Sequence, residues 1–184
     1  MGAKRTSRLI AVLIAVAMIM TSAIGVFAAS SPTKGGTTKV TVKSVSNIKV
    51  TTKADSVKYK VKGAKKWKKA EVKDGAANIT GLKHHKKYVI KANGKTYYRV
   101  TCVSKVKKVT KKGKTVTVKF TKKKCAKKYT ITAVRKSDGK VVKKTVSKTS
   151  GKVKLAKGKW KITVTVKSGK YVGKASKAKS VTIK

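Results

Sequence analysis

From Lys39 onward, apolar and polar residues alternate along the chain. KVTVKSV (39–45), SVKYKVKG (56–63), KTVTVKF (114–120), YTITAV (129–134) and KITVTVK (161–167) all carry the pattern. Residues i and i+2 share one face of a β-strand, so the alternation predicts strands with one inward and one solvated face. In 161–167 the inward set is Ile162, Val164 and Val166, with Lys161, Thr163, Thr165 and Lys167 outside. Val, Ile, Thr and Tyr also favour a pleated, half-buried surface. After the N-terminal segment, no long window carries the 3.6-residue stripe of an amphipathic helix.

Reversals fall between these runs. Asn93-Gly94 lies between KKYVIKA and KTYYRVTCV, a hairpin signal because both turn residues tolerate positive φ. Asp138-Gly139 sits between YTITAVRKS and KVVKKTV and predicts a second hairpin of the same kind. Lys73-Asp74-Gly75, Lys112-Gly113 and Ser168-Gly169 mark further turns. Short strands with frequent reversals predict antiparallel sandwiches rather than a parallel sheet. The fold expected is all-β, with two small antiparallel β-sandwich domains at 38–104 and 105–184. A disordered lysine tail would lack both the alternation and the turns.

The N-terminus departs from this pattern. MGAKRTSR carries three cations, an unbroken apolar run follows from Leu9 to Met20, and small residues close the segment at Val26-Phe27-Ala28-Ala29-Ser30. A basic start, an apolar middle and a small-residue exit predict a secretory signal peptide over residues 1–28, cleaved after Ala28 or alternatively Ala29. The apolar run is shorter than the roughly 20 residues a membrane span needs. It resembles the export signals of Gram-positive, gut-dwelling bacteria. Residues 29–37 read as a flexible leader, since SSPTKGGTT holds the only proline and two adjacent glycines. The expected location is outside the cell, secreted or wall-associated, with no transmembrane anchor left after cleavage. Export makes Cys102 and Cys125 a disulfide candidate, the alternative being two half-buried free thiols.

Within the first block, Asn78-Ile79-Thr80-Gly81-Leu82 precedes Tyr88-Val89-Ile90; within the second, Leu155-Ala156-Lys157-Gly158-Lys159-Trp160 holds the same place. These motifs resemble fibronectin type III and related immunoglobulin-like modules of exported bacterial proteins. In that family a leucine and a tyrosine six residues apart form the corner entering the sixth strand. The resemblance implies that Leu82 and Tyr88 form one corner, and that Leu155 and Trp160, five apart, form the other. Gly173-Lys174-Ala175-Ser176-Lys177 and Ser180-Val181-Thr182-Ile183 look like the family's last hairpin and last strand. The usual tryptophan of the second strand is missing in both blocks, and Trp67 falls after the third.

Composition then decides the kind of function. Lys plus Arg number 51 against four acids, a net charge of +47, and the expected cleavage removes only Lys4, Arg5 and Arg8. With only four acids, almost no lysine can be neutralised by an internal ion pair, so the folded chain must repel itself unless salt or a polyanion relieves it. The same scarcity excludes enzyme classes. Asp55, Asp74 and Asp138 read as turn formers, and Glu71 alone cannot make the carboxylate pair that acid–base chemistry needs. His84-His85 has no acid or cysteine near it in sequence, so it reads as a cationic loop tip and no metal site is expected. No nucleophile motif or phosphate loop is present, and neither a cofactor nor a small-molecule substrate is expected.

What remains are lysine arrays. The candidate polyanion-binding residues are Lys65, Lys66, Lys68, Lys69, Lys86, Lys87, Lys122, Lys123, Lys124, Lys127 and Lys128. Lysine is a compact point charge, while arginine makes the planar fork that reads phosphates and bases. Lysine alone therefore suits sequence-blind attraction, driven by counterion release. The expected function is non-catalytic adhesion to polyanions: teichoic acid-like wall polymers first, then extracellular DNA or acidic glycans. Alternatives are a secreted cationic effector acting on nucleic acid or host glycans, and a structural spacer without a specific ligand.

Overall fold

A computed structural model describes residues 37–184. The expected signal peptide, and the leader up to residue 36, lie outside the described residues. The described residues belong to one compact unit. Among the described residues every regular element is a β-strand, and no helix is long and apolar enough to cross a membrane.

The strands of the first half are β1 (Lys39–Val42), β2 (Ile48–Thr51), β3 (Ser56–Val61), β4 (Lys68–Glu71), β5 (Ala76–Ile79), β6 (Lys87–Ala92) and β7 (Lys95–Val103). Those of the second are β8 (Val106–Lys112), β9 (Thr115–Phe120), β10 (Lys128–Arg135), β11 (Val141–Val146), β12 (Ser150–Lys154), β13 (Gly158–Ser168), β14 (Tyr171–Ala175) and β15 (Lys179–Ile183). Two small sheets, β1-β2-β5 and β12-β9-β8, accompany one large sheet ordered β11-β10-β13-β14-β7-β6-β3-β4, with β15 also on β13. Each half thus repeats one plan. Its first, second and fifth strands form a small sheet, and its fourth, third, sixth and last lie in the large one. That is the Greek-key sandwich architecture shared by immunoglobulin-like and fibronectin type III modules.

Alternation accounts for the burial. Ile162, Val164 and Val166 on β13 are fully buried, while Lys161 beside them is exposed. The first hydrophobic cluster joins β1, β2 and β5 to β3 and β6, through Val40, Ile48, Val50, Ile79, Val57 and Ile90. The second joins β8, β9 and β12 to β10 and β13, through Val106, Val116, Val118, Val153, Ile131 and Trp160.

Strand β7 serves both clusters. Tyr97 packs against the first, whereas Val100 and Cys102 belong to the second. Because successive side chains point to opposite faces, the two small sheets cover opposite faces of the large one. The halves meet where β14 pairs in parallel with β7, Val172 beside Arg99 and Lys174 beside Val103.

Several turns match expectation. Asp74-Gly75 and Asn93-Gly94 have positive φ at both positions, the geometry of a tight hairpin. Two expectations are corrected. Asp138-Gly139 closes a wider loop, because Arg135 N donates to Lys140 O and only Gly139 has positive φ. Gly173–Lys177 is not a hairpin. Gly173 lies within β14, and the reversal falls at Gly169-Lys170, between Ser168 and its partner Tyr171. The last strand is broken into β14 and β15, with Ser176 N bonded to Val164 O at the break.

Candidate functional site at the junction of the two halves

The corners come first, because they position the loops that carry the lysines. Tyr88, buried at the start of β6, accepts a hydrogen bond on its hydroxyl from Lys83 N at 2.9 Å. Trp160 Nε1 donates to Ala156 O at 2.9 Å, the corresponding bond at the start of β13. Leu82 and Leu155 are both buried beside them. A third bond of this kind has no signal in the spacing: the Tyr129 hydroxyl accepts from Lys123 N at 2.8 Å. Each bond satisfies a backbone group that would otherwise lack a partner near the core.

Lysine groups separate in sequence are brought onto adjoining segments where the two halves of the large sheet meet. Lys62 N donates to Lys87 O, placing the β3–β4 turn with Lys65 and Lys66 beside the start of β6. Lys68 and Lys69 continue from that turn along β4 at the sheet edge. The start of β6 is bound to β7. Thr101 is fully buried, its hydroxyl accepts from Lys86 N at 3.1 Å and donates to Lys83 O at 2.6 Å, and His85 N donates to Thr101 O at 2.8 Å. From the end of β7, Ser104 Oγ donates to Thr121 O at 2.7 Å and Cys102 is disulfide-bonded to Cys125. Both links lead into the β9–β10 loop that holds Lys122, Lys123 and Lys124, ahead of Lys127 and Lys128.

Nine of the eleven candidate lysines are exposed; Lys87 and Lys123 are half-buried. Lys87 reaches over the Tyr171 ring at 5.5 Å. Among the described residues the ion pairs are Lys73 with Glu71 and Arg135 with Asp138, so none of the eleven is neutralised by an acid. The resulting potential is uniformly positive, and the low-dielectric body behind it concentrates that potential at the surface.

The aromatic residues near this surface are already occupied. Lys60 and Lys91 sit over Trp67 at 4.8 and 5.1 Å, and Lys170 sits over Tyr98 at 3.9 Å. Tyr98 and Tyr171 also meet edge to face, with centroids 5.3 Å apart, across the β7–β14 contact. Beside them Arg99 donates to Val40 O through Nε at 3.0 Å and through a terminal nitrogen at 2.8 Å. Burial pulls its pKa below the ordinary guanidinium value, against the raising effect of Tyr97. These residues hold the junction together. The cleft between β1 and β14, lined by Val40, Arg99, Val172 and Lys174, is part of that structural contact.

One grouping is invisible in the sequence. A ring nitrogen of His85 and the sulfurs of Cys102 and Cys125 all lie within 4.8 Å of one another. Seventeen residues separate His85 from Cys102, and 23 separate the two cysteines, so only the fold unites them.

Neither a family model nor a curated protein matches the chain. Among solved structures it is similar to the FN5 domain of Drosophila Lar, 22% identical over 44% of this chain and 94% of that one, with a TM-score of 0.39. It is also similar to a two-domain fibronectin type III segment of chicken tenascin, 15% identical over 79% of this chain and 97% of that one, TM-score 0.40. The FN1–FN3 domains of chicken CNTN1 align at 12% identity over 80% of this chain and 64% of that one, TM-score 0.37. The overlays are loose, and it is the strand order and corners of this chain that make its all-β fold fibronectin type III-like.

Proposed function

We propose that the chain is an exported, non-catalytic adhesion protein of two tandem fibronectin type III-like modules, 38–104 and 105–184. It holds anionic polymers outside the cell, with teichoic acid-like wall polymers as the first choice. The observation that carries this reading is the band of eleven lysines on adjoining segments, without an acidic partner among the described residues. Binding of this kind is diffuse and is driven by counterion release. The state of the aromatic rings favours a wall polymer over nucleic acid. Base stacking requires an open ring face, and Trp67 and Tyr98 are covered by the chain's own ammonium groups.

The test is a salt series of binding to purified wall polymer, duplex DNA and heparin. Wall polymer should be held at about 0.15 M salt, and log affinity should fall linearly with log salt. Replacing Lys122, Lys123 and Lys124 by glutamine should flatten that slope, by about one unit for each lysine that pairs with a phosphate in the parent. Release from all three polymers at about 0.15 M salt overturns the proposal. Equal retention on all three leaves a charged spacer without an evolved ligand.

A further inference from the structure

We propose that, once the Cys102–Cys125 bond is reduced, His85, Cys102 and Cys125 form a three-donor site for a thiophilic d10 cation, zinc or cuprous ion. The donor set is sound chemistry for such ions, since thiolate and imidazole ligands select them. With metal–sulfur distances of about 2.3 Å and metal–nitrogen of about 2.0 Å, tetrahedral ligand atoms sit roughly 3.5–3.8 Å apart. The three atoms here already lie within 4.8 Å of one another. Closure needs the sulfurs to part and the imidazole to move in by about 1 Å.

The donors are carried by backbone that is held in place. The Tyr88 hydroxyl pins Lys83 N and buried Thr101 clamps residues 83–86, so the His85 loop is tied to the strand bearing Cys102. The Tyr129 hydroxyl pins Lys123 N, two residues before Cys125. Burial is graded across the site: Cys102 is fully buried, Cys125 half-buried and His85 exposed. An ion would therefore be held from the protein side and keep an open position toward solvent, as three-ligand zinc sites do.

Charge fits as well. Lys83, Lys86, Lys122, Lys123 and Lys124 flank the cysteines and histidine in sequence. Two thiolates cancel a divalent charge and leave a cuprous site anionic, so the surrounding lysines do not oppose the loaded site. The redox step balances with a dithiol reductant. Two electrons and two protons pass to the disulfide, the reductant closes its own disulfide, and the bound metal then displaces the two thiol protons. Disulfide and metal are mutually exclusive, so the site is open only to the reduced chain.

The test is a cobalt titration of the mature chain, reduced with a dithiol, desalted and kept under nitrogen. One equivalent should bind with a thiolate-to-cobalt charge-transfer band, and zinc or cuprous ion should displace it. The oxidised chain should show no such band. His85→Asn suits the backbone there, since φ is +57° and asparagine tolerates the left-handed region. With unchanged thiol count and circular dichroism, that variant should bind at least about tenfold more weakly, the smaller end of what even an outer-shell change costs. Cys125→Ser should abolish the band. The proposal is overturned if the reduced chain gives no thiolate band, if the oxidised chain binds cobalt equally, or if His85→Asn titrates like the parent.

Discussion

At the scale of single residues, the polar bonds that matter close loops. The Tyr88 hydroxyl accepts Lys83 N and so anchors the loop carrying His84 and His85. Tyr88→Phe keeps the buried ring but leaves that amide unpartnered, and should cost about 1–3 kcal/mol in urea denaturation. The tyrosine is legible in the sequence because its spacing from Leu82 resembles a known corner. Tyr129 reads there only as part of an alternating strand, since nothing local marks Lys123 N as its partner. Arg135 and Asp138 form a fork across the β10–β11 loop, and Arg135, then the Lys140 amide, hold the Asp138 carboxyl well below the usual carboxylate range. A carboxyl lowered in the folded state contributes stability above its unfolded pKa and loses it as pH falls through the folded one. The stability difference between the parent and Asp138→Asn should therefore be level above about pH 5 and shrink below about pH 4. Acid titration followed by circular dichroism reads this directly.

At the scale of elements, β7 and β14 decide how the halves join. A Cβ on Gly173 would lie 2.3 Å from the Cys102 carbonyl oxygen and 3.4 Å from that of Val100. Both are backbone atoms of β7 and cannot swing aside. Gly173→Ala should cost about 1–3 kcal/mol or more, with hydrogen-exchange protection reduced along β7. At Gly151 the nearest atom is the tip of the Ile131 side chain, 2.6 Å away. That tip can change rotamer, so Gly151→Ala should cost less. The disulfide reinforces the same joint, because Cys102 lies on β7 and Cys125 in the β9–β10 loop. Reduction should lower stability by roughly 3 kcal/mol through the unfolded chain, measured as the denaturation midpoint with and without reductant. The central role of β7 is hard to read because KTYYRVTCV does not alternate cleanly. A strand covered on both faces needs apolar groups at successive positions, and periodicity cannot say what covers it.

At the scale of the whole molecule, the charge that the proposed adhesion would use also opposes folding. Forty-seven more cations than acids act on one chain. Compacting them raises their mutual repulsion, which salt screens and a bound polyanion relieves. The melting temperature should therefore rise with salt between about 0.01 and 0.15 M. It should rise further with a saturating polyanion at low salt, because a ligand that prefers the folded state stabilises it by mass action. A melting temperature indifferent to both would show that repulsion is already relieved within the fold.

The sequence by itself determined the class of the fold, the strands and their inward faces, most of the turns and the exposed lysines. These are local properties, set by side-chain alternation, turn chemistry and composition. Only the tertiary structure decided that the lysine groups adjoin, that two small sheets cover opposite faces of one large sheet, and that His85 meets Cys102 and Cys125. Those outcomes depend on which strand edges pair across long stretches of chain. A parallel ladder between β7 and β14 leaves no mark in either strand beyond a glycine at the point of closest approach.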